Sequence, residues 1–438
     1  MTIAAHTLGC KLNYAETSDL LRRLVAEGHT IVEWGRRADL YLVNTCTVTA
    51  VAEKKCRNAI RQAHRQNPDA QIVVMGCFAQ VAASEIERIP GVTLVLGNDR
   101  KHLLPSILRH PENPDFPENP EFQLQYSSGD RTRTFFKIQD GCDYFCTYCA
   151  IPFARGRSRS ATIEETLCAA RRIADSGAKE VILTGVNTGT FGKNNSESFL
   201  DLLEKLDNLD GILRYRISSI EPNLLTDDII DFVAHSRAFL PHFHIPLQAG
   251  SDHVLQLMHR RYDTALYREK LLKIKSVMPD ACIAADVMAG FNGETEEEFQ
   301  KVLSFIDSLP ISYLHVFTYS DRPGTAALKL PEKIPVPVRH EHTARLLELS
   351  EKKHKTFIDS QLGQTRPVLW ESKIIRNYEL GIRNDATHPI PNSSLLIPNL
   401  MQGWTDNYIR VARPYDPLLV NTVEDITLSE ENIIRETL

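Results

Sequence analysis

Along the first hundred residues, short apolar runs alternate with stretches whose apolar positions recur at helical spacing. IAAHTL, LYLVN and QIVVM read as strands, and the segments from Tyr14 to Glu27, Val51 to Gln66 and Gln80 to Arg88 as helices. That alternation predicts a small parallel α/β domain over residues 1–104. Between 105 and 130 the periodicity stops. HPENPDFPENPE is polar and proline-rich, breaks helices and has little to bury, so it reads as a linker.

The pattern resumes over 131–362. FFKIQ, KEVILT, LRYRIS, HFHIP, CIAADVM and YLHVF alternate with helical segments from Ile163, near Ser198, near Asp227, near Leu266 and from Glu296. Six strand–helix units predict a curved parallel sheet, a partial (β/α)6 barrel with its chemistry at the carboxyl ends of the strands. Residues 336 to 362 form a long amphipathic helix. From 364 to 438, prolines, asparagines and short alternations such as NYIRVAR and LLVNTVEDITL predict a small antiparallel β barrel. The fold class is therefore α/β with an all-β end.

Composition changes this picture little. Apolar residues make up 42% and charged residues 24% of the 438, as in an ordinary folded protein, and no apolar run is long enough to span a membrane. The start, MTIAAHTLGCKLNYAE, lacks the basic, apolar and cleavage regions of a secretory signal, so a cytoplasmic location is expected. A formal charge of −6 excludes a strongly basic, non-specific nucleic-acid binder but leaves room for local basic patches.

The cysteines change it more. Nine in a chain without a secretory signal suggest metal ligands or catalysis rather than a disulfide framework. Cys142, Cys146 and Cys149 fall in GCDYFCTYC, a C-x3-C-x2-C spacing directly after the strand FFKIQ. Three thiolates on one loop hold three irons of a four-iron cluster and leave the fourth open; a structural zinc would require a fourth ligand that is not nearby. Cys10, Cys46 and Cys77 each follow one of the first three predicted strands. Strand ends in a parallel sheet share one edge, so these thiols converge into a second candidate site. Cys56, Cys168 and Cys282 lie within helical or strand patterns without ligand spacing and read as packing residues.

The loop spacing, with aromatic Tyr148 before the last cysteine, resembles the radical S-adenosylmethionine (AdoMet) superfamily. The N-terminal cysteine trio, KIQDGCDYFCTYCAIPFARGRSRS and a terminal segment with GWTDNYIRV together resemble its methylthiotransferase family over almost the whole chain. The resemblance implies a radical AdoMet barrel, two 4Fe-4S clusters and AdoMet as both methyl donor and radical source. Cys142, Cys146 and Cys149 would bind the AdoMet cluster, and Cys10, Cys46 and Cys77 an auxiliary one. It further implies a TRAM-like RNA-binding module at the C-terminus. That module carries seven Lys or Arg against ten Asp or Glu from residue 366 onward, so it would use a localised face, with Trp404, Tyr408 and Arg410 as candidates.

By the same resemblance, strand-end segments line the AdoMet pocket: TGVNTG with Gly185 and Asn187, SSIEPN with Ser219 and Glu221, and IPLQAGSD with Gln248. Glu221 suits the ribose hydroxyls or the amino group. GFNGETEEEF has Asn292 where the family usually has proline, and Thr295 followed by three glutamates reads as a helix start. YSDRPGTAA, around Arg322 and Pro323, resembles another family segment near the end of the barrel. Arg155, Arg157 and Arg159 in ARGRSRS are candidate phosphate contacts, and Lys54, Lys55, Arg57, Arg61 and Arg65 give a helix a basic face.

LGCKLNYAE and KIQDGC look like the branch acting on N6-threonylcarbamoyladenosine at position 37 of transfer RNA. Alternatives are the branches acting on isopentenyladenosine or on an aspartate of ribosomal protein S12, and, from another class, a non-catalytic iron–sulfur RNA-binding sensor. The two cysteine triads are expected to face one cavity, with the N-terminal sheet over the barrel mouth. A low-potential electron donor such as flavodoxin or ferredoxin, a transfer RNA substrate, no membrane partner and a monomer complete the expectation.

Overall fold

The computed structural model describes residues 1–110, 122–129, 131–375 and 400–435. The N-terminal unit is a five-stranded, wholly parallel sheet: β1 (Thr2–Thr7), β2 (Thr30–Val32), β3 (Leu40–Thr45), β4 (Gln71–Gly76) and β5 (Val92–Leu96), in the order β2-β1-β3-β4-β5. Both faces are covered, which explains why LYLVNT is buried throughout. Tyr41, Val43, Ile72 and Val74 pack with Cys56, Ile60 and Ala63 of the helix Ala50–Gln66 on one face. Leu40, Leu42, Val73 and Met75 meet Leu20 and Leu24 of the helix Lys11–Ala26 on the other. The edge strands β2 and β5 escape the sequence pattern because they are short and only partly covered. The helix expected from Gln80 to Arg88 is instead two short ones, Cys77–Val81 and Ala83–Ile86, broken at Ala82, whose φ of −140° is not helical.

The expected linker is ordered at both ends. Leu104–Arg109 is a helix with proline in its first turn, where a missing N–H costs nothing, and β6 (Gln125–Tyr126) pairs antiparallel with the next strand; residues 111–121 lie outside the described ones.

The central unit holds six parallel strands. β7 (Arg133–Lys137) is followed by the small hairpin partners β8 (Gln139–Asp140) and β9 (Arg159–Ser160), then β10 (Glu180–Thr184) and β11 (Arg214–Ile217). β12 (His242–His244), β13 (Cys282–Ala289) and β14 (Tyr313–Thr318) form a second parallel group, joined to the first through the bridge Tyr215–Phe239. Outward residues such as Phe136, Val181, Leu183, Phe243 and Ile283 pack against the surrounding helices in the largest apolar cluster. The inward face is polar. Register places Arg133, Glu180 and Arg214 side by side, then Phe135, Ile182 and Arg216.

Two elements fill that inner face. The helix Lys11–Ala26 packs Ala15 against Phe135 and Ile182. β15 (Thr365–Ile375), β16 (Leu400–Thr405), β17 (Arg410–Pro414) and β18 (Val423–Thr427) form an antiparallel sheet, order β17-β16-β15-β18, against the amino ends of the barrel strands. There Arg214 and Arg216 donate to the carbonyls of Thr405 at 3.0 and 2.6 Å. The part of the expected C-terminal barrel between 376 and 399 lies outside the described residues.

Candidate iron–sulfur and AdoMet site

Because β1, β3 and β4 are neighbours, Cys10, Cys46 and Cys77 leave the same edge of the sheet at adjacent points. Gly76, at φ 101°, turns the chain into Cys77; a Cβ there would lie 2.3 Å from Asn44 Oδ1. Asn98 Nδ2 reaches Cys77 Sγ at 3.4 Å and the Ala154 carbonyl at 2.7 Å, which ties this triad to the helix just after Cys149.

The second triad follows β8. Gly141, at φ 72°, admits the turn: a Cβ would sit 2.0 Å from the Arg157 carbonyl. Gln139 locks the loop, donating to the carbonyls of Asp140 and Gly141 at 3.0 and 2.8 Å and accepting from Asn187 N–H at 2.9 Å. The loop's outer side exposes Phe145, whose φ of 50° turns its ring outward toward Phe153.

A cavity of about 270 Å³ lies at the carboxyl ends of the barrel strands. All three loop cysteines line it, together with Thr47, Val48 and Thr49, the residues that follow Cys46. Tyr148, Asn187, Ser219, Glu221 and Gln248 line it too, whereas Gly185 stands behind, against Gln139. Gln248 adopts φ 64°, a strained conformation for a residue with a side chain and one that clusters at binding sites.

The donor sets fit clusters better than single ions. Among the described residues, the ligand atoms that crowd within 4.8 Å of one another are those of His244, Asp286 and His315, not of either cysteine triad. A single zinc would draw its sulfurs to about 4 Å, given bonds of about 2.3 Å; a four-iron cluster gives each thiolate its own iron. Burial pushes the thiols of Cys46 and Cys149 up to about 12 and that of Cys142 up to about 11, so the charge of a bound metal is what would ionise them. The cavity also presents buried donors that lack a partner: Asn187 Nδ2 and Arg322 Nε and Nη2, suited to the carboxylate and hydroxyl groups of AdoMet.

Sequence reasoning missed Arg260. It donates to Cys146 Sγ at 3.1 Å and Tyr148 Oη at 3.4 Å and forms a close ion pair with Glu221, placing a positive charge beside the loop thiols. Arg322, left without a role by the sequence, is bonded to Glu53 of the N-terminal unit at 2.6 Å and helps close the cavity from that side.

One expectation needs correction. Arg155 is no phosphate contact. It is 3% exposed and holds Glu16 at 3.1 Å, Asp140 at 2.9 Å and Asn13 Oδ1 at 2.5 Å. Lys101 and Lys137 also pair with Glu16, whose carboxyl burial would raise but these three cations hold well below the usual range. Of the other arginines, Arg159 is half-buried against Asp140, while Arg157 is exposed over the Phe145 ring at 4.6 Å. Trp404 and Tyr408 are half-buried against the barrel. Tyr408 stacks on His242 at 4.3 Å and Trp404 lies under Arg133 at 4.6 Å, because the inner barrel face offers cations to aromatic faces; Arg410 bonds Gln402. Cys168 is exposed on its helix, whereas Cys56 and Cys282 are buried as packing residues. Lys54, Lys55, Arg61 and Arg65 are exposed and Arg57 is paired with Glu85. Thr295 caps the helix Glu296–Asp307 as expected.

Residues 2–97 match the uncharacterized protein family UPF0004 and residues 136–306 the radical SAM superfamily. The chain is 38% identical to threonylcarbamoyladenosine tRNA methylthiotransferase MtaB of Bacillus subtilis, over 94% of this chain and 90% of that protein. It is 34% identical to the protein of the same name from Aquifex aeolicus, over 88% and 97%. It is also 34% identical to the tRNA-2-methylthio-N(6)-dimethylallyladenosine synthase of Nitratidesulfovibrio vulgaris, over 84% and 86%. In fold it is similar to the radical S-adenosylmethionine methyltransferase TsrM from Kitasatospora setae, with a TM-score of 0.52 at 13% identity over 73% of this chain and 74% of that one. With identity of this level spanning both cysteine-bearing units, the chain belongs to the MtaB-like radical SAM methylthiotransferase family.

Proposed function

We propose that this protein converts N6-threonylcarbamoyladenosine at position 37 of transfer RNA to its 2-methylthio derivative. One observation carries the reading: the residues after Cys46 and the loop bearing Cys142, Cys146 and Cys149 line a single cavity. The names of the relatives from Bacillus subtilis and Aquifex aeolicus supply the substrate.

Cys142, Cys146 and Cys149 would hold the AdoMet-binding 4Fe-4S cluster, and Cys10, Cys46 and Cys77 the auxiliary one. When bound, the two clusters and AdoMet supply the electron, the sulfur and the methyl group needed to replace an unactivated C–H hydrogen by a methylthio group. The protein's own groups orient and enclose. Arg260 compensates the charge of the Cys146 thiolate and, through Glu221, fixes an acceptor in the cavity wall. Asn187, Ser219 and Gln248 offer polar contacts to AdoMet, and Arg322, bound to Glu53, keeps the N-terminal unit over the opening.

For the transfer RNA, Arg157 with the exposed Phe145 and Phe153 beside the cluster loop, and Lys54, Lys55, Arg61 and Arg65 on the neighbouring helix, form the contact surface. The units are then 1–104 for the auxiliary cluster, 131–362 for AdoMet and 364–438 as a TRAM-like module, whose antiparallel strand order supports that assignment. No helix among the described residues is long and apolar enough to cross a membrane. The reading includes a cytoplasmic monomer reduced by a carrier such as flavodoxin or ferredoxin.

The test is nucleoside mass spectrometry after incubating the anaerobically reconstituted enzyme with reductant, AdoMet and transfer RNA carrying threonylcarbamoyladenosine. Formation of its methylthio derivative is the expected result. Parallel arms with isopentenyladenosine RNA and ribosomal protein S12 would move the substrate assignment if only they gave product.

A further inference from the structure

The segment after β14 touches both cysteine-bearing units. It is pinned to the cluster loop at Ala327, whose N–H donates to the Thr147 carbonyl, between Cys146 and Cys149, at 2.8 Å. The Ala327 carbonyl accepts from Asn292 Nδ2 at 3.0 Å. Asn292 is fully buried there, and a proline in its place could not donate this bond. Thr325 Oγ1 closes the turn on the Arg322 carbonyl at 2.7 Å, so the base of the Arg322 side chain is fixed relative to the loop.

From the other unit comes Glu53, in the first turn of the helix Ala50–Gln66, where a carboxylate is favoured. Its Oε1 accepts from Thr47 Oγ1 at 2.7 Å and from Arg322 Nη1 at 2.6 Å, and its Oε2 lies 3.6 Å from Arg57 Nη2. Thr47 is the residue after Cys46 and lines the cavity. One carboxylate therefore joins the arm that leaves Cys46, its own helix and the end of the barrel. Glu16 binds barrel cations too, but from the helix Lys11–Ala26.

A surface ion pair would fix little. This one is largely out of water: the side chains of Arg322 and Glu53 are 6% and 17% exposed. The pair also sets the guanidinium. Nη1 is taken by Glu53, while Nε and Nη2 are buried without a partner among the described residues, on a side chain that lines the cavity. A reaction whose groups come from two units and meet at one carbon has little tolerance, since a misplacement of about 1 Å costs about 100-fold in rate.

We infer that Glu53 is a positioning residue for methylthio transfer. Through Thr47 and Arg322 it holds the arm after Cys46 at a set place against the cluster loop, so that the two units meet over one cavity. Its loss is felt in the transfer more than in AdoMet cleavage, for which the loop and the barrel supply the groups. The inference rests on the methylthio-transfer reading and not on the choice of substrate base.

The test uses the reconstituted holoenzyme and its Glu53→Ala, Glu53→Gln and Thr47→Val variants, with iron per chain measured for each. The 5′-deoxyadenosine formed per methylthio product should rise about 10- to 100-fold in Glu53→Ala, the usual scale for a group that supports a metal-site residue. Glu53→Gln keeps an acceptor for Thr47 and Arg322 and should recover part of the coupling; Thr47→Val should raise the ratio less than Glu53→Ala. Iron per chain should stay at the level of the unmodified enzyme, which separates a displaced arm from a lost cluster. Hydrogen exchange should quicken over residues 47–53 in Glu53→Ala and stay the same over 142–149. An unchanged ratio, a rise that comes only with loss of about half the iron, or unaltered exchange over 47–53 overturns the inference. If only isopentenyladenosine RNA or ribosomal protein S12 gives product, the substrate reading fails alone, and the same ratio is read with that substrate.

Discussion

The two cysteine triads are built by different routes: the loop triad lines the cavity itself, while the strand-end triad sends only the residues after Cys46, Thr47 to Thr49, into its lining. Cys142, Cys146 and Cys149 belong to one loop, whose shape is set by neighbours: the turn at Gly141, the positive φ of Phe145 and the bond from Cys149 N–H to the Cys146 carbonyl at 3.0 Å. Cys10, Cys46 and Cys77 meet only because β1, β3 and β4 are adjacent and in register, with Thr7 opposite Asn44 and Thr45 opposite Gly76. A slip of one residue between these strands would move a thiol by about 3.3 Å. The loop triad is thus a local motif, and the strand-end triad is a property of a whole folded sheet.

Substitutions separate the two most sharply at the cysteines. Cys146→Ala should remove about half the iron and abolish reductive formation of 5′-deoxyadenosine, read by iron assay and chromatography, because three thiolates are the minimum that leaves one iron open. Cys46→Ala should also lose about half the iron but keep 5′-deoxyadenosine formation while giving no methylthio product. If both variants lost both activities alike, the triads would not be independent.

The next effect falls on what holds the two regions together. Glu16→Gln would leave Lys101, Lys137 and Arg155 short of their shared carboxylate and should cost about 3–5 kcal/mol of stability, read as a lowered denaturant midpoint. Arg260→Gln should leave iron content unchanged and slow 5′-deoxyadenosine formation about 10- to 100-fold, the usual scale for a group bonded to a metal ligand. Arg157→Ala is the mildest: it should weaken transfer RNA binding uniformly and reduce the slope of log K against log salt by about one.

The same contrast explains what could be read from the sequence. The loop triad is visible as a spacing, and the six barrel strands as apolar runs, since both are local patterns. The strand-end triad is legible one step removed, through the parallel-sheet rule. Arg155 misleads because ARGRSRS resembles a basic run, while its buried partner Glu16 lies 139 residues away. Likewise, nothing near GWTDNYIRV announces the cations of β7 and β11 that lie over one face of Trp404 and Tyr408. Arg260 and the trio of His244, Asp286 and His315 become neighbours only once the strands are laid side by side.

Glu16 also bears on the order in which the chain can bury its charges as it is made. The N-terminal sheet is synthesised first and tends to fold as a unit. At that stage Glu16 has Lys101 alone, and the other two cations arrive with residues 137 and 155. A carboxylate with one of its three cations is costly to bury, so it is expected to stay hydrated until then. Burial of Glu16 is therefore expected only once Arg155, just behind the loop that carries Cys142, Cys146 and Cys149, has been made. Nascent chains stalled before residue 155 should therefore leave the helix Lys11–Ala26 open to proteases, and chains stalled after the barrel is complete should protect it.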